Sequence, residues 1–475
     1  MKNLLILFFA LLMQNAVWAQ GTNCNCRENL DKIISKTESN YAGFPDKVNG
    51  SAEKKYAQLV VGLRSEATGI SSAKTCYELL RRYIRFFEDK HFSLTYQPNG
   101  DDQPEMLSAD AAYFNYTKQD TGPEGIWINP DSSLTLGVKR FPGQLYKAVV
   151  LRASDKNLKP GLVYFTLKPH AKGYLLQQYN VFTTTDMYAQ QRGDLLQLWN
   201  FAMYKRISGR GLSRQQTEEF ESWRNNNNGL QFKVLDEETS YIKIPTFFNN
   251  DSKIQRLVAA NDAKIRGSKY LIIDLRGNGG GNSGWSNLLP YVMTNPIQQD
   301  SPLLRVSPDN TAIKRAELEP IVTNPVSEEM KKYFPDDYVA ALRRVYEELP
   351  QTKQTFYAVP GLTIPVDSLL KLPSKVALVT DELCGSSAEY FFHLMAQSKK
   401  TLRYGSNTVG MMDYEGPSQV TPLPYAGFVL MIPVSKSGWT DTQPIDKVGF
   451  KPDIPLHIPK SQWIDYISKD LKKRK

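Results

Sequence analysis

Two continuous apolar runs, each followed by a turn of small residues, constrain this protein more than any other feature. Tyr270-Leu271-Ile272-Ile273-Asp274-Leu275 runs directly into Arg276-Gly277-Asn278-Gly279-Gly280-Gly281-Asn282. Val376-Ala377-Leu378-Val379-Thr380 is followed by Leu383-Cys384-Gly385-Ser386-Ser387-Ala388-Glu389. Short apolar runs bounded by turn signals read as buried strands. Further strands are expected over 232–235, 241–244 and 428–433, with helices over 253–263 and from about 387 to 397. Strands alternating with helices predict an α/β core, assigned here to residues 226–475. Residues 295–365 interrupt it, carry a predicted helix over 337–349, and are expected to form a cap or insert over the site.

The rest of the sequence has a different character. Leu30, Ile33, Ile34 and then Leu79, Leu80, Tyr83, Ile84 and Phe87 recur at helical spacing, so residues 20–100 are expected to be helical. Residues 101–225 form a β-rich insert with a helical linker. Its runs at 126–128, 134–138, 146–151 and 163–167 are separated by Asn129-Pro130-Asp131, Pro142-Gly143 and Lys159-Pro160-Gly161. Short strands at such spacing suggest a small antiparallel barrel or sandwich. Residues 1–19 read as a signal peptide: Lys2 supplies charge, 4–13 an apolar run, and Val17-Trp18-Ala19 a cleavage site after Ala19. No later stretch is apolar enough to anchor the protein in a membrane, so the exported form is expected to be soluble, in the periplasm or outside the cell.

The formal net charge is +9, but the basic residues are scattered apart from the tail 472–475, and no nucleic-acid motif appears. The four cysteines are Cys24, Cys26, Cys76 and Cys384. In an exported protein, Cys76 with either Cys24 or Cys26 is the expected disulfide. Cys24 with Cys26 is disfavoured by the strain of a single intervening residue.

The glycine run lets the backbone turn sharply and present N–H groups to an anion. Gly279, Gly281 and Gly284 also fit a dinucleotide fingerprint, with Asp300 at a suitable distance. A lone fingerprint in an exported protein is weak support, so no cofactor is expected. Ser386 leaves a strand and enters a helix, where free N–H groups favour negative charge; taken alone it would be an N-cap. There are four histidines, His91, His170, His393 and His457, as candidate general bases. His393 lies about two turns along the helix from Ser386. No His-Glu-x-x-His or Cys-x-x-Cys spacing points to a metal.

Together these elements resemble the C-terminal processing, or tail-specific, serine proteases. Asp274-Leu275-Arg276-Gly277-Asn278-Gly279-Gly280-Gly281 is similar to their Asp-Leu-Arg-x-Asn-x-Gly-Gly signature. Cys384-Gly385-Ser386-Ser387-Ala388-Glu389 is similar to their nucleophile segment, and Val448-Gly449-Phe450-Lys451-Pro452-Asp453-Ile454 to their Gly-Val-x-Pro-Asp-Ile ending. The resemblance covers roughly 232–459 and implies a core of the ClpP/crotonase-like protease type. It departs from the family where many members carry a catalytic lysine, because Met411 holds that position and cannot accept a proton.

A branch similar to the tricorn protease core uses histidine and a carboxylate instead, and Asp89-Lys90-His91 is similar to its histidine element. The resemblance therefore implies Ser386 as nucleophile, His91 as base and Asp446 as the orienting acid. Gly280 and Ser387 would be the oxyanion donors and a polypeptide the substrate. Ser387, then Cys384, are the fallback nucleophiles. The alternatives are a catalytically degenerate ligand-binding protein on the same fold, or an esterase with the same triad.

Overall fold

The computed structural model describes residues 24–98, 104–114, 122–207, 209–416 and 419–474; the expected signal peptide lies outside the described residues. At its centre is a six-stranded sheet. Gln231–Asp236 is antiparallel to Thr239–Lys243. Tyr270–Asp274, Lys375–Thr380, Thr401–Gly405 and Ile454–Pro455 then continue the sheet in parallel. The apolar runs are continuous because both faces are covered. Leu271, Ile273, Val376 and Leu378 pack on the side carrying helices Asp251–Gly267 and Ser387–Leu394. Tyr270, Ile272, Ala377 and Val379 face Trp463, Ile467 and Leu471 of the helix Trp463–Lys473. Full burial of each large apolar side chain contributes about 1.5–3 kcal/mol, which makes these the best-anchored strands to carry a site.

The expected small barrel or sandwich is a closed antiparallel barrel of eight strands between Gly125–Ile128 and Ala202–Arg206. Trp127, Leu136, Val138, Phe165, Leu167 and Leu196 fill it. Closure leaves no unpaired strand edge.

The N-terminal region folds into helices Cys26–Asn40, Ser51–Glu66 and Ala73–Arg85. Cys26 and Cys76 form the disulfide, and Cys24 remains a buried thiol. These helices share a core with Tyr414, Phe428, Leu430 and Ile432 from the far end of the sequence. The strand Ser93–Tyr96 pairs antiparallel with Phe428–Met431, Ser93 opposite Met431. That pairing brings the segment just after His91 onto the α/β core.

Within the interrupting segment, the expected helix is observed at Asp336–Glu348. It packs on a second helix, Pro308–Thr323, through Leu318, Val322, Leu342 and Val345. The second helix escapes sequence reading because Pro320 lies within it and only Asn310, Leu318 and Val322 are buried, too few to mark a stripe. Its start is clasped to the helix Cys26–Asn40: Asn40 Nδ2 donates to Asp309 at 2.8 Å, and Asn310 Nδ2 donates to the Asn40 carbonyl at 2.9 Å.

Candidate active site

Ser386 ends the turn that leaves the buried strand Lys375–Thr380 and caps the helix Ser387–Leu394. Its backbone lies at φ 51° and ψ −122°, a region a side chain rarely adopts. Such a conformation costs about 1–3 kcal/mol and persists only where the surroundings enforce it. Here the buried Glu389 carboxylate does so. It accepts from the Ser386 N–H at 3.2 Å, the Gly410 N–H at 2.6 Å, the Met411 N–H at 2.8 Å and the Thr408 hydroxyl at 2.6 Å. Burial pushes the Glu389 carboxyl above its ordinary range against these donors.

Across the turn stands Gly280, at φ +99°. A Cβ there would sit 2.7 Å from the Ser386 Cβ and 2.8 Å from the Gly385 carbonyl oxygen, so the close approach of the two turns needs glycine. The Asp274 and Arg276 of the same signature have a structural part. Burial raises the Asp274 carboxyl, but the Arg276 guanidinium, at 2.9 and 2.7 Å, outweighs it and holds the group below its ordinary range.

His91 faces this turn from the N-terminal region. Its Nε2 lies 3.0 Å from the Ser386 Oγ and its Nδ1 lies 2.7 Å from the Tyr414 carbonyl oxygen. A carbonyl can only accept, so Nδ1 carries the proton and the Nε2 lone pair addresses the serine hydroxyl. The segment is held from below by Asp89, which accepts the His91 N–H at 2.8 Å and the Tyr41 hydroxyl at 2.7 Å. Burial raises the Asp89 carboxyl, while the field of His91 opposes the rise.

Asp446, expected to orient the imidazole, does not do so. Its carboxylate forms an ion pair with Lys47 and its N–H donates to Asp413 at 2.7 Å. The place opposite Nδ1 is taken by the Tyr414 backbone, which leaves no signal in sequence. The Gly280 N–H is likewise engaged, donating to Asn278 Oδ1 at 2.9 Å, so Gly280 shapes the cradle by its lack of a side chain and not as a free donor. Ser387 is better placed, its backbone nitrogen lying 3.0 Å from the position of a Gly280 Cβ. Its hydroxyl is buried without a hydrogen-bond partner.

Cys384 is fully buried, and its Sγ donates to the Leu275 carbonyl at 2.9 Å. Burial lifts its thiol well above the ordinary value, which leaves no thiolate to attack. Met411, at the position of the family lysine, packs its sulfur where a Gly385 Cβ would be, 2.5 Å away. Of the other histidines, His393 pairs with Asp300 at 2.6 Å and His170 lies against Tyr188. Among the described residues, no group of three or more His, Cys, Asp or Glu side chains could hold a metal ion.

The barrel contributes to the site's walls, which sequence reasoning did not anticipate. Trp199 Nε1 donates to the Leu383 carbonyl at 3.0 Å, three residues before the nucleophile position. The same indole lies where a Gly279 Cβ would be, 2.7 Å from its Cε2. Gln190 Nε2 donates to Glu382 at 3.1 Å. The barrel therefore braces both turns at once.

Residues 238–456 match peptidase family S41. The structure of mature CPAF complexed with lactacystin superposes with a TM-score of 0.53 at 12% identity, covering 94% of this protein and 97% of that one. That likeness shows a shared fold. A structure of a putative peptidase from Parabacteroides merdae follows at a TM-score of 0.45 and 12% identity, covering 94% of this protein and 97% of that one. No curated protein matches the sequence.

Proposed function

Residues 238–456 belong to peptidase family S41 and the protein is a serine-type peptidase; from that premise we propose that it is an exported endopeptidase acting through an acyl-enzyme at Ser386. The observation that carries the reading is the 3.0 Å contact between His91 Nε2 and Ser386 Oγ, with Nδ1 committed to a carbonyl. The Ser386 oxygen attacks the peptide carbonyl and Nε2 takes its proton. The tetrahedral oxyanion forms at the start of the helix Ser387–Leu394, where the Ser387 N–H and the helix dipole stabilise it. Nε2 then returns the proton to the leaving amine. Water, deprotonated by the same nitrogen, releases the acyl group. The imidazolium that forms in each half is stabilised by the Tyr414 carbonyl on Nδ1–H and by the nearby carboxylates of Asp89 and Glu389.

Export rests on the 1–19 leader and agrees with the Cys26–Cys76 disulfide, a bond that persists in oxidising compartments. The mature N-terminus is then Gln20. Replacing Ser386→Ala should lower cleavage of an unstructured test protein by about ten-thousandfold or more. It should also abolish labelling by an active-site serine reagent. Undiminished cleavage by that variant rejects the assignment. A folded wild-type protein that ignores the reagent points to the degenerate, ligand-binding alternative.

A further inference from the structure

The proposed chemistry leaves one ionisable group beside it unused. Glu415 follows Tyr414, whose carbonyl holds the His91 ring, and precedes Gly416, where a Cβ would lie 3.9 Å from the His91 Cδ2. The segment 414–416 thus wraps the base. It is anchored in turn, since the Glu415 N–H donates to the Ser435 carbonyl at 3.0 Å. The Glu415 carboxyl meets two further parts of the fold. Tyr390, one turn beyond Ser386 on the helix Ser387–Leu394, lies within electrostatic reach of Glu415, of Asp300 and of Tyr338 on the helix Asp336–Glu348. Lys314 of the helix Pro308–Thr323 and Asp300 act on Glu415 itself. The carboxyl therefore lies where the interrupting segment 295–365, the nucleophile helix and the segment around His91 converge.

Its neighbours do not satisfy it. Asp300 is committed to His393 at 2.6 Å, and the Lys314 ammonium is held by Glu317 at 2.6 Å. Burial, with the field of Asp300 added, pushes the Glu415 carboxyl up to about 7, although the field of Lys314 opposes the rise. Among the described residues, no donor makes a hydrogen bond to that carboxyl. The residue nevertheless keeps some contact with solvent, so it can be reached from outside. A carboxylate held largely out of water without donors is costly to the fold, and a cation brought in by a ligand removes that cost. A perturbed carboxyl beside the reacting groups is the mark of a functional position. The Tyr390 ring and hydroxyl add an aromatic face and an acceptor, both suited to an ammonium or guanidinium group.

We propose that Glu415 is a specificity residue that receives a lysine or arginine side chain of the polypeptide substrate close to the cleaved bond. The inference rests on the peptidase reading for the nature of the ligand. Tyr390 stands one helical turn, about 5.4 Å along the axis, from Ser386. A lysine or arginine beside the bond held at Ser386 has the length to cross that interval, and it supplies donors and compensating charge together. A neutral side chain would leave the carboxyl unpaired, and an acidic one would add a like charge.

The test uses the full-length protein and internally quenched peptides, acetylated at the N-terminus and amidated at the C-terminus. The peptides differ at one position near the cleaved bond, which holds Lys, Arg, norleucine or Glu and is scanned across both sides of that bond. At one place kcat/KM should favour Lys or Arg over norleucine by about tenfold or more, with Glu poorest. In the parent that ratio should rise with pH through about 7, as the carboxyl ionises. Glu415→Gln should bring the ratio close to one and flatten its pH profile, an effect a merely structural role would not produce. Glu415→Lys should reverse the order in favour of Glu, and the glutamine variant serves alone if the lysine one fails to fold. No cationic preference at any position in the parent, or a preference undiminished in Glu415→Gln, would overturn the proposal. Should the parent cleave none of the peptides, the same set is ranked by binding to Ser386→Ala, with and without Glu415→Gln. A cationic preference that Glu415→Gln removes then counts against the peptidase reading alone, and its absence overturns the inference as well.

Discussion

At the scale of single residues, His91 is oriented by a backbone carbonyl and not by a carboxylate. The consequence for mutation is uneven. His91→Ala removes the ring nitrogen that faces the Ser386 hydroxyl as an acceptor, and kcat/KM for a peptide substrate should fall by about a thousandfold or more. Asp446→Asn breaks an ion pair with Lys47 at the edge of the site and should lower kcat/KM less than about tenfold. Comparable losses in the two variants, measured under identical conditions, would return Asp446 to the catalytic unit. The serine was legible because small residues at a strand-to-helix turn stand out beside a glycine run. The histidine could be chosen from four only through a family resemblance, since nothing in Asp89-Lys90-His91 itself reveals a partner 295 positions away. The Tyr414 carbonyl was illegible in principle, because every residue has one. Asp446 misled because its spacing from Gly449 fixes a position in the sequence and not the direction of a side chain.

At the scale of elements, the two turns face each other with no space to spare. Gly280→Ala must place a methyl 2.7 Å from the Ser386 Cβ in a positive-φ conformation. Activity should fall at least about a hundredfold, and stability by about 1–3 kcal/mol. Gly62→Ala, in the exposed middle of the helix Ser51–Glu66 with nothing near its Cβ position, should instead stabilise by up to about 1 kcal/mol with activity unchanged. Thermal unfolding and kcat/KM on the two variants check the contrast; equal responses would mean that the turns are looser than described. The core strands could be read from their apolar runs because both faces are buried. Four of the eight barrel strands were legible as β-runs, at 126–128, 134–138, 146–151 and 163–167; the other four were not, and closure depends on register between distant strands, which no local pattern records.

At the scale of the whole molecule, stability should carry the mark of Glu415. Burial raises its carboxyl from the ordinary 4.5 to about 7; the nearby Asp300 adds to the rise and Lys314 opposes it. Between those values the folded protein holds a proton that the unfolded one has lost. Its contribution to stability therefore falls as pH rises from about 4.5 to about 7 and stays low above that. Glu415→Gln should remove this slope, gaining about 3 kcal/mol relative to the parent at pH 8 and little at pH 4. Denaturant titrations across the range test it, and parallel pH profiles for parent and variant would refute the assignment.

The antiparallel pairing of Ser93 with Met431 also sets an order of events. The imidazole is made early in synthesis, and the strand that seats its segment comes only near the end. A growing polypeptide thus holds its base, its glycine turn and its hydroxyl for a long interval without a framework to join them. The contact between His91 and Ser386 can therefore form only once nearly the whole sequence has been made.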